Sequence, residues 1–141
     1  MDKNGLDILL IEDNVFDAEL TIRMLKQNSI ANTIVHVPTG ALAIDFLNAT
    51  GEYAGRDITD KPKVILLDLK LGPVSGIKIL EKIKADEHTS KIPVVVLSGS
   101  KENVDLKKCY ELGANSYLVK PIEFGSFTKG ILLPLLSRNV V

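Results

Sequence analysis

Five residues of types that do chemistry recur at one kind of place in this chain, the end of a short apolar run. Glu12 and Asp13 follow Ile8-Leu9-Leu10-Ile11, and Asp68 closes Val64-Ile65-Leu66-Leu67. Ser98 follows Val94-Val95-Val96-Leu97, and Lys120 follows Tyr117-Leu118-Val119. Three carboxylates in one pocket cannot all stay ionised unless something positive sits among them. All-oxygen ligation selects a hard cation, and Mg²⁺ in particular binds through few carboxylates and retained waters. A cation, an ammonium and a hydroxyl around a carboxylate suit a tetrahedral dianion. An aspartate so placed can act as a nucleophile and form an acyl phosphate. Mg²⁺ and Lys120 would neutralise charge on the transferring group, and Ser98 would donate to one of its oxygens. Each residue also has a plainer reading: Asp68 as a turn residue, Glu12-Asp13 as compensation of a helix dipole. The dipole accounts for one acid readily and for two less well.

The elements that must bring these residues together alternate along the chain. Apolar runs without alternation read as strands buried on both faces, the kind found inside a parallel sheet. They are expected at Leu6 to Ile11, Asn32 to Val37, Lys63 to Asp68, Ile92 to Leu97 and Asn115 to Val119. Between them, helices are expected at about Val15 to Asn28 with Asn14 as cap, and Gly40 to Ala49 capped by Thr39. A third follows Ser75 with the stripe Ile77, Leu80 and Ile83. A fourth runs from Lys101 to Leu112, stopped by Gly113, and a fifth from Ile122 to about Leu133. The first helix has Phe16, Leu20, Ile22, Met24 and Leu25 as its apolar positions, and the fourth has Leu106, Cys109 and Tyr110. His36 and His88 are assigned no role. The segment from Gly51 to Pro62 reads as a polar loop, long for a compact domain.

Strand and helix alternating five times give an α/β fold, a doubly wound five-stranded parallel sheet with helices on both faces. The common order for five strands is 2-1-3-4-5, with its switch point between strands one and three. Ligands bind in this architecture at that crevice, outside the carboxyl ends of the strands. Glu12-Asp13 and Asp68 are therefore expected to converge there, with Ser98 and Lys120 on the neighbouring rim.

The 141 residues favour one domain with a single core. Hydrophobic content of 45% and charged content of 25% are ordinary for a globular domain. A net charge of −1 gives no electrostatic case for a nucleic-acid partner. No apolar run approaches the ~18–20 residues of a membrane span. The polar start Met1-Asp2-Lys3-Asn4-Gly5 lacks a signal-peptide core, and the lone Cys109 excludes an internal disulfide. A cytoplasmic location is expected.

Glu12-Asp13, Asp68, Ser98 and Lys120-Pro121, with Gly76 eight residues past Asp68, together resemble a receiver domain of the two-component response regulators. The resemblance covers essentially the whole chain and implies a flavodoxin-like receiver fold with five helices. It implies that Asp68 accepts a phosphoryl group from a phosphohistidine on a sensor histidine kinase or histidine phosphotransfer protein. Glu12, Asp13, Asp68 and the backbone carbonyl of Lys70 would hold Mg²⁺. Lys120 would pair with Asp68 and then with its phosphoryl group. Ser98 would move to bond that group, Tyr117 would turn inward behind it, and Lys120-Pro121 would be a cis peptide. The protein would then be no enzyme beyond catalysing its own phosphorylation and dephosphorylation. Two features depart from the family pattern. Proline is usual four residues after the aspartate, where this chain has Gly72 before Pro73, and Lys70 is an uncommon residue at its position. The loop with Gly51-Glu52-Tyr53 resembles single-domain receivers that partner phytochrome-type and other hybrid histidine kinases.

About 20 residues follow Lys120, enough for a helix and a tail, so residues 1–141 are expected to be a single receiver domain without an output domain. The alternative function is a receiver-shaped adaptor that is never phosphorylated and acts by protein contact alone. An enzyme of similar fold fits less well. Acids after strand one would repel a flavin phosphate, and Lys70 stands where aspartyl-phosphate phosphatases carry a second acid. The leucines around Pro134 cannot all face one way at 100° per residue, and proline is expected to end or kink the helix. Ile131 and Leu135 would point inward, leaving Leu132, Leu133 and Leu136 partly exposed. A homodimer or partner contact through helix four, strand five and helix five is expected there, with the homodimer favoured.

Overall fold

Continuous apolar runs do form the sheet. The computed structural model describes residues 6–28, 33–71, 74–99 and 103–137. The Gly72-Pro73 step, the polar N-terminus and the first residues expected of strand two and helix four lie outside these. Five parallel strands, β1 (Ile8–Ile11), β2 (Ile34–Val37), β3 (Val64–Asp68), β4 (Val94–Ser98) and β5 (Ser116–Val119), stand in the expected order β2-β1-β3-β4-β5. Between them run α1 (Val15–Gln27), α2 (Gly40–Asn48), α3 (Gly76–Ala85) and α4 (Asn103–Glu111).

Alternate residues of the central strands feed two cores. Leu9, Ile11, Ile65, Leu67, Val94 and Val96 meet Ala43, Phe46 and Leu47 of α2, Ile79, Leu80 and Ile83 of α3, and Cys109 of α4. Ile8, Leu10, Val64, Leu66, Val95 and Leu97 meet Ala18 and Leu25 of α1 and the C-terminal helix. Each fully buried aliphatic side chain contributes roughly 1.5–3 kcal/mol, so the central strands anchor whatever follows them. Burial, then the charge of Asp105, pushes the Cys109 thiol up to about 11, and it behaves as a small hydrophobe.

The caps fall where the sequence puts them. Asn14 Oδ1 accepts from Asp17 N at 3.0 Å, Thr39 Oγ1 from Leu42 N at 3.1 Å and Ser75 Oγ from Ile77 N at 3.1 Å. Gly113, at φ 106, closes α4. Helix phase departs from expectation in three places. On α1, Phe16 and Leu20 face solvent at 82% and 51% exposure, and small Ala18 and Thr21 take the buried side with Leu25. On α4, Leu106 and Tyr110 are exposed and Cys109 alone of the expected stripe is buried.

The third departure is the C-terminal helix. Phe124–Phe127 is α-helical, Thr128–Leu132 is a π segment, and Leu133–Ser137 is α-helical again. Pro134 therefore neither stops nor ends the rod. It cannot donate to the turn before it and its ring crowds that turn's carbonyl, and the wider π turn immediately ahead accommodates both. That turn also changes the phase, so Leu132, Leu135 and Leu136 are buried and only Leu133 of the four leucines is exposed. The expected exposed cluster of Leu132, Leu133 and Leu136 is not formed.

The segment after α2 is ordered rather than loose. It opens with a 3₁₀ turn, Gly51–Tyr53, and folds around Arg56, which donates to Phe46 O and to Asp60 O and lies 3.8 Å over the Phe46 ring. The loop after β3 also carries structure, a two-residue antiparallel ladder of Lys70–Leu71 with Val74–Ser75. Gly76 lets α3 start close against this loop. A Cβ there would meet Asp68 O at 2.5 Å and Leu69 Cα at 2.6 Å, both backbone.

Candidate functional site

The three acids of the sequence meet at the carboxyl ends of β1 and β3. Glu12, Asp13 and Asp68 each present a carboxylate oxygen within 4.8 Å of the others. Glu12 and Asp68 are buried, and Asp13 faces the opening. Asp13 and Asp68 border a cavity of about 880 Å³ shared with Asn14, Asp17, Lys70, Ser75, Ser98 and Lys120, and Glu12 lies buried beside it.

Backbone geometry fixes each member. Glu12 N donates to Val37 O at 3.2 Å, extending the β1–β2 ladder by one residue. The Glu12 carbonyl then accepts from His36 Nε2 at 2.7 Å, which gives His36 a structural task that a lone histidine in a strand did not announce. Asn14 N donates to Glu12 Oε2 at 3.3 Å. Asp68 Oδ1 accepts from Lys70 N at 3.1 Å, so the residue after next orients the carboxylate. Ser98, 2% exposed, ends β4, and its carbonyl accepts from Lys120 N at 2.7 Å. The ends of β4 and β5 are thereby tied together. Lys120-Pro121 is cis.

Lys120 crosses the pocket. Its Nζ lies 3.0 Å from Glu12 Oε1, 3.2 Å from Asp68 Oδ2 and 3.2 Å from Asp17 Oδ2. Asp17 is the site residue that sequence reasoning missed. An acid in the first turn of a helix is accounted for by the dipole, and only its place four residues after Asp13 hinted at more. Burial pushes the Glu12 carboxyl up to about 7, reinforced by its hydrogen bond with Asp68 and opposed by Lys120. For Lys120, burial alone would lower the ammonium, but its hydrogen bond to Glu12 and the charges of Asp68 and Glu12 outweigh that and hold it above the ordinary lysine value. The ammonium thus stays charged, and the excess negative charge is carried by the acids around it.

Tyr117 of β5 is already buried, at 8% exposure, in the core beneath α3 and α4. Its backbone N–H donates to the Tyr110 hydroxyl of α4 at 3.1 Å. Lys70 is exposed at the pocket rim.

The donor set is all oxygen and all hard: three carboxylates converging, one of them resisting ionisation. That is the chemistry of a divalent-cation site, and these residues fit one.

Comparison with known proteins agrees with this geometry. Residues 8–131 match the family model described as the response regulator receiver domain. Response regulator Rcp1 of Synechocystis is 38% identical over 113 residues, covering 80% of this chain and 75% of Rcp1. Its Mn²⁺-bound crystal structure aligns with a TM-score of 0.78 at 34% identity, covering 94% of this chain and 93% of that one. The bacteriophytochrome response regulator AtBRR aligns with a TM-score of 0.80 at 44% identity over 95% of this chain and 94% of its own. The phosphorylated cyanobacterial phytochrome response regulator RcpA aligns with a TM-score of 0.77 at 34% identity, over 93% and 91%.

Proposed function

Since the chain belongs to the response regulator receiver family, we propose that Asp68 is its phosphoryl acceptor and that the donor is a phosphohistidine of a sensor kinase or phosphotransfer protein. One observation carries this. The Asp68 carboxylate is buried at the switch point, with two further acids and one lysine converging on it. A carboxylate oxygen of Asp68 attacks phosphorus, the P–O bond forms as the P–N bond to the histidine breaks, and the imidazole leaves with the electron pair. Lys70 N–H orients the nucleophile, and Lys120 faces the charge of the transferring group. Mg²⁺ held by Glu12, Asp13, Asp68 and the Lys70 carbonyl would supply the remaining charge neutralisation. Ser98, at the end of β4, bonds a phosphoryl oxygen, and Tyr117 follows it as the switch residue. The protein acts on no substrate beyond its own Asp68.

The phosphodonor's approach has support in the surface. Val15, Phe16 and Leu20 of α1 are exposed, and Leu20 lines a groove with Asp17, Lys120, Pro121, Ile122 and Phe124 directly beside the acid pocket. Exposed apolar side chains clustered by a charged site suit a protein partner. The similarity to bacteriophytochrome response regulators makes a phytochrome-type kinase the partner of choice. A second contact, homodimeric or with a downstream partner, is assigned to α4, β5 and the C-terminal helix through exposed Val104, Leu106, Tyr110 and Leu133 rather than through a leucine cluster. Light scattering with and without beryllofluoride, a phosphoryl mimic, reads it; a monomer in both conditions excludes the homodimer.

The decisive experiment is labelling with acetyl phosphate in Mg²⁺, read by intact mass. Wild type gains one phosphoryl group and Asp68→Asn gains none. Stoichiometric labelling of the Asn variant would refute the assignment.

A further inference from the structure

The peptide between Glu12 and Asp13 joins two of the three acids, and one side chain fixes its plane. Glu12 is 1% exposed, so its carbonyl needs a donor inside the protein. The ladder does not supply one. Glu12 N donates to Val37 O, but Val37 is followed by Pro38, which has no N–H, and then by Thr39, where the chain turns away to cap α2. His36 fills the gap from within β2, with its Nε2 2.7 Å from Glu12 O. A carbonyl only accepts, so Nε2 carries the hydrogen.

The three acids differ in what else holds them. Glu12 Oε1 accepts from Lys120 and Oε2 from Asn14 N. Asp68 Oδ2 accepts from Lys120 and Oδ1 from Lys70 N. Among the described residues, no hydrogen bond or ion pair reaches the carboxylate of Asp13, which is exposed at the opening. Its direction is therefore set through the backbone on either side. On one side is Asn14, whose side chain caps α1, and on the other is the Glu12 carbonyl. The peptide group is planar, so holding that oxygen fixes the plane and with it the bond that leads to the Asp13 Cα.

We propose that His36 is a positioning residue for the cation site, which aims the Asp13 carboxylate at the point where Glu12 and Asp68 converge. This rests on the reading of the three acids as a divalent-cation site. The His36 bond fastens β1 to β2 whether or not a cation is bound. It also favours the cation, because the least supported ligand is ordered before the cation arrives.

Mg²⁺ titrations followed by backbone NMR shifts, with denaturant melts in cation-free buffer, test this. His36→Leu is expected to bind Mg²⁺ about two- to tenfold more weakly than wild type, the worth of one neutral hydrogen bond. His36→Gln, whose amide nitrogen reaches nearly as far as Nε2, should recover most of that loss. A bond that only fastened the strands would lower cation-free stability and leave the Mg²⁺ affinity of the folded chain unchanged. Lys84→Met, which cuts two bonds to carbonyls ahead of β4, is expected to behave in that way. The loss should also require Asp13, so that in an Asp13→Asn background His36→Leu weakens Mg²⁺ binding no further. If His36→Leu does not fold, His36→Asn, too short to reach the carbonyl, takes its place in each comparison. Wild-type Mg²⁺ affinity in that variant, no recovery in His36→Gln, or an equal loss in the Asp13→Asn background would each overturn the proposal alone. Failure of wild type to bind Mg²⁺ would instead overturn the cation site, and this reading with it.

Discussion

Lys84 and Lys120 are the same residue, both half-buried, and they are shifted in opposite directions. Lys84, in the last turn of α3, donates to Ser90 O at 3.0 Å and Ile92 O at 2.7 Å. Burial lowers its ammonium below the ordinary lysine value, because neutral carbonyls do not make up for lost water. Lys120 suffers the same burial, but carboxylates surround it and its ammonium is raised. The partners make the difference. Backbone carbonyls cannot be phosphorylated, bind a cation in exchange or change protonation, so Lys84 ties α3 to the approach of β4 and does nothing else. Every partner of Lys120 can do at least one of these things. A buried charge whose partners are fixed is a fastening; one whose partners can change is a candidate for a switch. Arg56, with its two carbonyls and the Phe46 ring, belongs with Lys84.

The largest effect should come from removing Lys120. In Lys120→Ala, Asp68 is expected still to bind beryllofluoride in Mg²⁺, while the backbone NMR shifts near Ser98 and Tyr117 that accompany binding in wild type are lost. The fold should persist in Mg²⁺, since the side chain fills no core space. Shifts equal to those of wild type would put the coupling elsewhere and erase the contrast between the two lysines.

Lys84→Met should show the mirror image. Two carbonyls lose their donor, for about 1–2 kcal/mol of stability in denaturant melts, while labelling by acetyl phosphate stays at the wild-type level. A labelling defect would mean that Lys84 is no mere fastening.

The smallest effect concerns pH. The folded state holds the Glu12 proton up to about 7, against an ordinary 4.5. A carboxyl with a raised folded value contributes stability that is fully present below about 4.5 and is lost as pH rises through about 7. Glu12→Gln mimics the protonated form, so without a cation its stability relative to wild type should rise over that window. Mg²⁺ should flatten or invert the difference, because the ionised carboxylate then gains a partner. A relative stability independent of pH in cation-free buffer would show that Glu12 is not held protonated. No such window is expected around Lys84, whose partners do not titrate.

The sheet was legible because strands buried on both faces must be apolar at every position, so runs such as Val64–Leu67 announce themselves and their polar ends stand out. Four of those end residues, Asp13, Asp68, Ser98 and Lys120, do line one pocket, and the fifth, Glu12, meets them from beneath through Lys120 and the other two acids. Helix faces were harder. A helix may bury small or polar residues, as α1 buries Ala18 and Thr21, and show large ones, as it shows Phe16. Large apolar side chains therefore marked the wrong side. Asp17 and Lys84 were hidden for a related reason. An acid in a first turn and a lysine in a last turn already have an explanation in the helix dipole, so nothing in their local sequence asks for a second. Arg56 gave no signal at all, since its hydrogen-bond partners are backbone carbonyls brought to it by the turn of the loop.

The π segment at Thr128–Leu132 makes the end of this chain a counting problem. In an α-helix each residue advances the direction of its side chain by about 100°, so a helix keeps a tally. The π turn holds one residue more than the tally allows, and Leu132 and Leu136, which a regular helix would turn outward, fall inward beside Leu135 because of it. Replacing a residue within the segment alters one side chain. Deleting one of its residues would restore a regular helix and leave everything beyond it in phase, whereas deleting one past it, such as Leu133, would rotate Leu135 and Leu136 by about 100°. Past the π turn a length change acts as a frameshift acts in a message, each later letter intact and each read in the wrong place; inside the turn the loss of one letter is silent.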